Sequence, residues 1–193
     1  EEVIINWAEE KDDLNLKQWS KEIYTKYGCP LEEKPLEELI DTSNIHGWLQ
    51  DRISKAEGRQ AAWVTKILEV NPEYIEDLKE VFKKEGWKMA EECRKSIKVD
   101  TPNEMFNTLN NFILEGMPCD RVNEEVENTE TNYVWRSRIC LHTPYWQEEN
   151  GDVENFYTLR NQWVKAFVEK LNNGFKYDSF IVEGKRNYKI EVI

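Results

Sequence analysis

The chain has 193 residues, and its 38 Asp and Glu against 26 Lys and Arg give a formal net charge of −12 at pH 7. The acidic balance argues against nucleic acid as a partner, because proteins that bind phosphate backbones usually carry a basic patch. The 8 Trp, 8 Tyr and 7 Phe are enough large side chains for a core, which disfavours disorder. We expect one domain over 1–193, helical over 1–70 and with a helix plus an antiparallel-sheet core over 71–193.

The early part of the chain has the apolar spacing of helices. Residues 14–27 carry one apolar stripe, and Gly28 is placed to end that helix. Pro35 begins a short helix, and residues 48–70 favour a longer one with a break at Gly58.

Two further helices follow, each with a proline near its start. Asn71-Pro72 precedes a helix expected over 73–96, with a solvated Glu and Lys face. Thr101-Pro102 is a cap followed by proline at the first helical position, and we expect that helix to end at Gly116.

The rest of the chain alternates between strand and helix patterns. Between 121 and 146 the period is close to two, which predicts a hairpin with a turn over 127–132 and a second strand over 133–141. An amphipathic helix is expected over 153–172, followed by strands over 175–182 and 188–193. This order predicts an α+β fold, in which N-terminal helices pack on a small antiparallel sheet built from two hairpins flanking an amphipathic helix.

The predicted second strand carries the most suggestive side chains. Alternation would place two arginines, a thiol and an imidazole on one face of the strand. A nearby imidazolium favours the nucleophilic thiolate, and arginines hold carboxylates through paired hydrogen bonds. The sequence therefore predicts Cys140 and His142 as catalytic residues, with these substrate-binding residues: Trp135, Arg136, Arg138, Tyr145 and Trp146.

Other interpretations of the same strand stay open. The arginines can pair across the hairpin with Glu124, Glu125 or Glu127. Cys140 is then a small buried side chain, and His142 lies at a strand end near solvent. A zinc site of Cys119, Cys140 and His142 is a further alternative, although its spacing matches no standard zinc pattern.

The C-terminal half resembles a known superfamily in its layout. A helix ending at Gly116 is followed by a strand pair leading to 138–142, an amphipathic helix with Trp163 and Phe167, and a closing hairpin around 183–185. This layout is similar to the domain of L-2-amino-thiazoline-4-carboxylate hydrolase-like proteins and 4-vinyl reductase-type ligand-binding domains.

The resemblance implies a small-molecule domain. Cys140 matches a cysteine that this group carries before its last helix, whereas a second cysteine of the group corresponds to Asn187 or Tyr188. For an enzyme, the resemblance implies hydrolysis of a small cyclic C–N substrate. Cys140 would be nucleophile or ligand, His142 the proton shuttle, and Arg136 and Arg138 the anion clamp.

Two other function classes remain open beside the hydrolase. One is a non-catalytic sensor or carrier whose aromatic-lined pocket takes an apolar or aromatic ligand; the candidate lining residues are Trp48, Trp63, Trp87, Trp135 and Trp146. The other is an acidic interaction subunit with an aromatic partner surface. The sequence identifies no cofactor, and it permits a homodimer formed through the sheet. It does not decide between an enzyme and a non-catalytic binding protein.

The expected location is the reducing cytoplasm, without a membrane partner. No apolar run approaches the roughly 20 residues that span a bilayer, and the first residues lack the basic start and apolar stretch of a signal peptide. The four cysteines are far apart and form no Cys-x-x-Cys pair, which disfavours a zinc ribbon or a thioredoxin-type site.

Overall fold

The computed structural model describes residues 1–193, apart from the side chain of Pro118. It contains helices and one antiparallel sheet, which confirms the α+β class. The chain divides into two compact units, unit 1 over 1–74 and 142–153, and unit 2 over 75–141 and 154–193. The expectation of one domain over the whole chain stays a prediction.

In chain order the helices are α1 Glu2–Ala8, α2 Leu16–Tyr27, α3 Leu36–Leu39, α4 Ile45–Val70, α5 Tyr74–Arg94, α6 Pro102–Leu109, α7 Thr143–Glu148 and α8 Val153–Leu171. The strands are β1 Asn123–Asn128, β2 Asn132–Ser137, β3 Phe175–Val182 and β4 Lys185–Val192. Two of the short helices, α1 and α7, were not predicted. None of the helices in the described part of the chain combines the length and the apolar composition that a bilayer crossing requires.

Unit 1 is helical, as its apolar spacing predicts. Helix α2 ends at Gly28, whose φ of 75° lies in the region that glycine adopts most readily. Helix α4 begins at Asn44, whose side chain accepts a hydrogen bond from the backbone N–H of Gly47. The predicted break at Gly58 is wrong, because α4 continues through it for 26 residues. Gly58 instead makes room for Tyr27, since an added Cβ would lie 2.6 Å from the ring atom Cδ1.

Unit 2 contains the sheet, with strand order β1-β2-β4-β3 and antiparallel pairs throughout. Both predicted hairpins are present. Strand β4 begins earlier than expected, at Lys185, and β2 ends at Ser137 rather than at residue 141. The backbone N–H of Arg138 still donates to the carbonyl of Val122 at 2.7 Å, and the chain then leaves the sheet.

One face of this sheet packs on helices of unit 2. Phe106 of α6 stacks on Tyr133 with ring centroids 4.3 Å apart, and Phe167 of α8 is fully buried in the same core. The predicted cap of α6 is confirmed as a capping box, in which Thr101 and Glu104 each accept a hydrogen bond from the other's backbone N–H. The predicted end of this helix at Gly116 is wrong, because α6 ends at Leu109.

Candidate ligand-binding site

The predicted site residues are divided between the two units. Unit 2 contains Trp135, Arg136, Arg138 and Cys140, and unit 1 contains His142, Tyr145 and Trp146. The predicted common strand face is wrong, because β2 ends at Ser137 and the residues from Arg138 onward are not in a strand. Strand alternation therefore gives no reason for Cys140 and His142 to act together.

The three residues in unit 1 hold α7 against α4. His142 is 5% exposed, and its Nδ1 lies 3.0 Å from an oxygen of Glu57. The expectation of a His142 near solvent is therefore wrong. The hydroxyl of Tyr145 lies 3.0 Å from that of Ser54, and Trp146 is fully buried. These contacts give the three side chains a packing role, and Glu57 is a partner that the sequence did not reveal.

The two arginines behave differently from each other. Nη1 of Arg136 lies 3.4 Å from a carboxylate oxygen of Glu124 on the neighbouring strand, and its Nε donates to Oδ1 of Asn187 at 3.1 Å. This confirms the alternative of pairing across the hairpin for Arg136. Arg138 is exposed just beyond the end of β2, so the two arginines do not share a strand position that would form a clamp.

Cys140 is exposed, so its interpretation as a small buried side chain is wrong. Its thiol is hydrogen-bonded to the hydroxyl of Tyr157 on α8. Burial raises the pKa of Tyr157 far above its usual value, and the contact with Cys140 raises it further. Tyr157 therefore stays a neutral phenol to a pH well above the physiological range.

Around Tyr157 lies a group of side chains that we name the arginine–aromatic cluster: Trp135, Tyr157, Arg160, Arg186 and Tyr188. The guanidinium of Arg186 lies 3.8 Å from the ring centroid of Tyr157. That of Arg160 lies 5.3 Å from the ring centroid of Tyr188, and the Tyr188 and Trp135 rings are also 5.3 Å apart. The cluster therefore connects α8 to the middle strands β2 and β4.

Each arginine of the cluster has an acidic partner. Arg160 forms an ion pair with Glu115, with side-chain exposures of 8% and 15%, so this pair is largely buried. Arg186 forms an ion pair with Glu154, whose side chain is 58% exposed. The Arg186 end of the cluster therefore lies at the surface of unit 2, next to solvent, whereas the Arg160 end is inside.

Apart from Nη2 of Arg160, which is ion-paired with Glu115, three buried donors of this cluster have no hydrogen-bond partner among the residues that the structure describes: Nε1 of Trp135, Nη1 of Arg160 and the hydroxyl of Tyr188. We call them the open donors. Their residues are 1%, 7% and 1% exposed, respectively. An unpaired buried polar group costs about 1–3 kcal/mol, so three together are a substantial penalty. The neighbouring Tyr177, by contrast, donates its hydroxyl to Oδ1 of Asn161 at 2.9 Å.

Two sequence signals could have indicated this cluster. Glu154, Tyr157 and Arg160 recur at every third position of α8 and interrupt its apolar stripe with polar groups. On β4, Arg186 and Tyr188 precede the buried Ile190 at alternate positions, which places all three on one face.

The proposed tryptophan lining is dispersed. Trp63 and Trp146 are fully buried within unit 1, and Trp48 of that unit is partly exposed. In unit 2, Trp87 is 44% exposed and Trp135 is buried in the cluster. Trp135 is therefore the tryptophan on which a site in unit 2 can be built.

The structure gives no support to the zinc alternative with Cys119, Cys140 and His142. Across the described residues, no group of three or more His, Cys, Asp and Glu side chains is arranged to hold a metal ion.

Comparison with models of protein families, with curated proteins and with solved structures gave no significant match.

Proposed function

We propose that unit 2 is a small-molecule-binding module, acting as a sensor or carrier, and that its ligand binds at the arginine–aromatic cluster. The observation that carries this proposal is the set of open donors within one group of aromatic rings. Native proteins pair nearly all of their buried polar groups, so an exception needs an explanation. A bound molecule that accepts these hydrogen bonds is the explanation proposed here.

The surroundings of the open donors suit such a ligand. Aromatic side chains offer large flat apolar surfaces, and small-molecule sites combine such surfaces with a few placed polar groups. The side chain of Arg186 is 23% exposed, and Cys140 is exposed. Both side chains contact Tyr157, so this is the solvent-facing side of the cluster.

The hydrolase hypothesis stays a prediction. Cys140 has Tyr157 as its hydrogen-bond partner, and His142 lies against Glu57, so neither contact by itself argues for a thiol–imidazole pair. Incubating wild type and Cys140→Ala with small cyclic amides tests the hypothesis, and equal turnover would remove Cys140 from any mechanism.

The proposal predicts opposite effects for two tyrosine variants. Tyr188→Phe removes a hydroxyl that lacks a partner, so the free protein should be as stable as wild type or slightly more stable. Tyr177→Phe is the matched control. It removes a hydroxyl that is bonded to Asn161 and should lower the free energy of unfolding by about 1 kcal/mol.

A fragment screen by thermal shift completes the test. Fragments that bind at the cluster should raise the Tm of wild type and of Tyr177→Phe, and should raise the Tm of Tyr188→Phe less. If Tyr188→Phe is destabilised as much as Tyr177→Phe and no fragment raises the Tm, the Tyr188 hydroxyl has a partner such as a buried water, and the proposal is wrong.

A further inference from the structure

We infer that the ligand of the arginine–aromatic cluster is an uncharged planar molecule that presents a hydrogen-bond acceptor, such as a ring-bound carbonyl group. This inference rests on the proposed function and specifies its ligand. It depends on three properties of the cluster: the kind of polar group left open, the balance of charge, and the arrangement of the aromatic rings.

The open groups are mainly donors. The indole N–H of Trp135 and the guanidinium N–H of Arg160 can only donate, and the Tyr188 hydroxyl can donate as well as accept. A ligand must therefore bring acceptor atoms. A cationic ligand is disfavoured, because it would bring donors and a positive charge towards the guanidinium of Arg160.

The charge balance argues against an anion. The buried positive charge of Arg160 is already matched by Glu115, and the partly exposed charge of Arg186 is matched by Glu154. A bound carboxylate would add one negative charge without a further described cation in the cluster to offset it. Burying an unmatched charge is far costlier than burying a hydrogen-bonded neutral group. The net charge of −12 on the chain also repels an approaching anion.

The aromatic geometry explains the planar shape. Trp135 and Tyr188 lie at 30° to each other, and the Tyr177 ring lies at 14° to Tyr188 with centroids 6.4 Å apart. The Trp135 and Tyr177 rings are tilted at 41° to each other. A flat aromatic molecule can pack against the faces and edges of such rings more closely than a bulky aliphatic one. An aromatic ketone or lactam satisfies all three requirements of shape, charge and acceptor.

Three probes of similar size test this inference: acetophenone, which is neutral with an acceptor; benzoate, which is anionic; and ethylbenzene, which has no acceptor. Binding is followed by NMR through the indole N–H signal of Trp135, assigned by its loss in Trp135→Phe. Acetophenone should move this signal downfield in a saturable way, as a new hydrogen bond does. Benzoate should bind at least about tenfold more weakly, and ethylbenzene should bind without the downfield shift.

The Glu115→Gln variant provides a charge-specific control. It leaves Arg160 without its buried counter-charge, so the affinity for benzoate should rise relative to that for acetophenone. The wild-type comparison keeps the test decisive if this variant does not fold.

The outcomes separate the two proposals. Benzoate binding as tightly as acetophenone to the wild type would overturn the inference and leave the proposed function standing, as would a downfield shift of equal size with ethylbenzene. If no probe moves the Trp135 signal and the fragment screen gives no hit, both proposals are wrong.

Discussion

Helices α5 and α8 of unit 2 approach each other closely at Gly86. An alanine Cβ at this position would overlap the backbone carbonyl oxygen of Trp163, and it would lie 3.2 Å from both the carbonyl carbon of Trp163 and the Cβ of Ala166. A backbone oxygen cannot rotate away as a side chain can. Gly86→Ala therefore forces the two helices apart.

Two opposing terms set the size of the effect. Alanine in place of glycine inside a helix gains about 1 kcal/mol of helix propensity. Inserting a methyl group into a packed interior costs about 1–3 kcal/mol, and a rigid backbone obstacle favours the upper end of that range. We expect a net loss of about 2 kcal/mol. For a chain of 193 residues this corresponds to a fall in Tm of about 4–8 °C.

Thermal unfolding followed by circular dichroism measures this fall. Lys84→Ala, an exposed change on the same helix, is the control and should change the unfolding free energy by less than about 0.5 kcal/mol. If Gly86→Ala is as stable as wild type or more stable, the gain in helix propensity outweighs the steric cost, and the steric cost of the close approach between α5 and α8 is smaller than expected.

Two further predictions concern single side chains. Burial, together with the hydrogen bond to Glu149, raises the pKa of Tyr27 from 10.0 to about 12. Because the folded state then keeps a proton that the unfolded state loses, the free energy of unfolding should fall as the pH rises from about 10 to about 12. Urea unfolding across this range should show a smaller fall for Tyr27→Phe than for wild type, and an equal fall would contradict the pKa shift. Thr101→Ala removes the capping box of α6 and should lower the unfolding free energy by about 1 kcal/mol, measured from the urea midpoint. Thr101→Ser keeps the hydroxyl and should behave like wild type. A wild-type midpoint for the alanine variant would mean that the cap contributes little to stability.

Local chemistry made much of the fold predictable. Gly28 and the Thr101-Pro102 pair mark helix ends through backbone geometry and capping, which neighbouring residues determine. The strands of the second hairpin, β3 and β4, follow from alternation beside a long amphipathic helix. The helix break predicted at Gly58 is wrong because a glycine is needed there to accommodate the ring of Tyr27, and Tyr27 is distant in sequence.

The site was less predictable for related reasons. The apolar and polar alternation of β2 continues in sequence past Ser137, although the strand pairing ends there. Thr143-Pro144 repeats the helix-start signal that was recognised at Thr101-Pro102, so α7 could have been predicted, and with it the helical spacing of His142 and Trp146. The open donors arise from contacts among α8, β2 and β4, and single-sequence patterns do not specify such contacts.

The path of the chain through the two units has a consequence for dissecting the protein. Residues 142–153 belong to unit 1, although they lie in sequence between the two parts of unit 2. Neither unit can therefore be produced as one uninterrupted fragment, and a cut near residue 74 would separate Glu57 from His142 and Ser54 from Tyr145. Isolating unit 2 would require replacing residues 142–153 by a linker that joins the end of 75–141 to the start of 154–193.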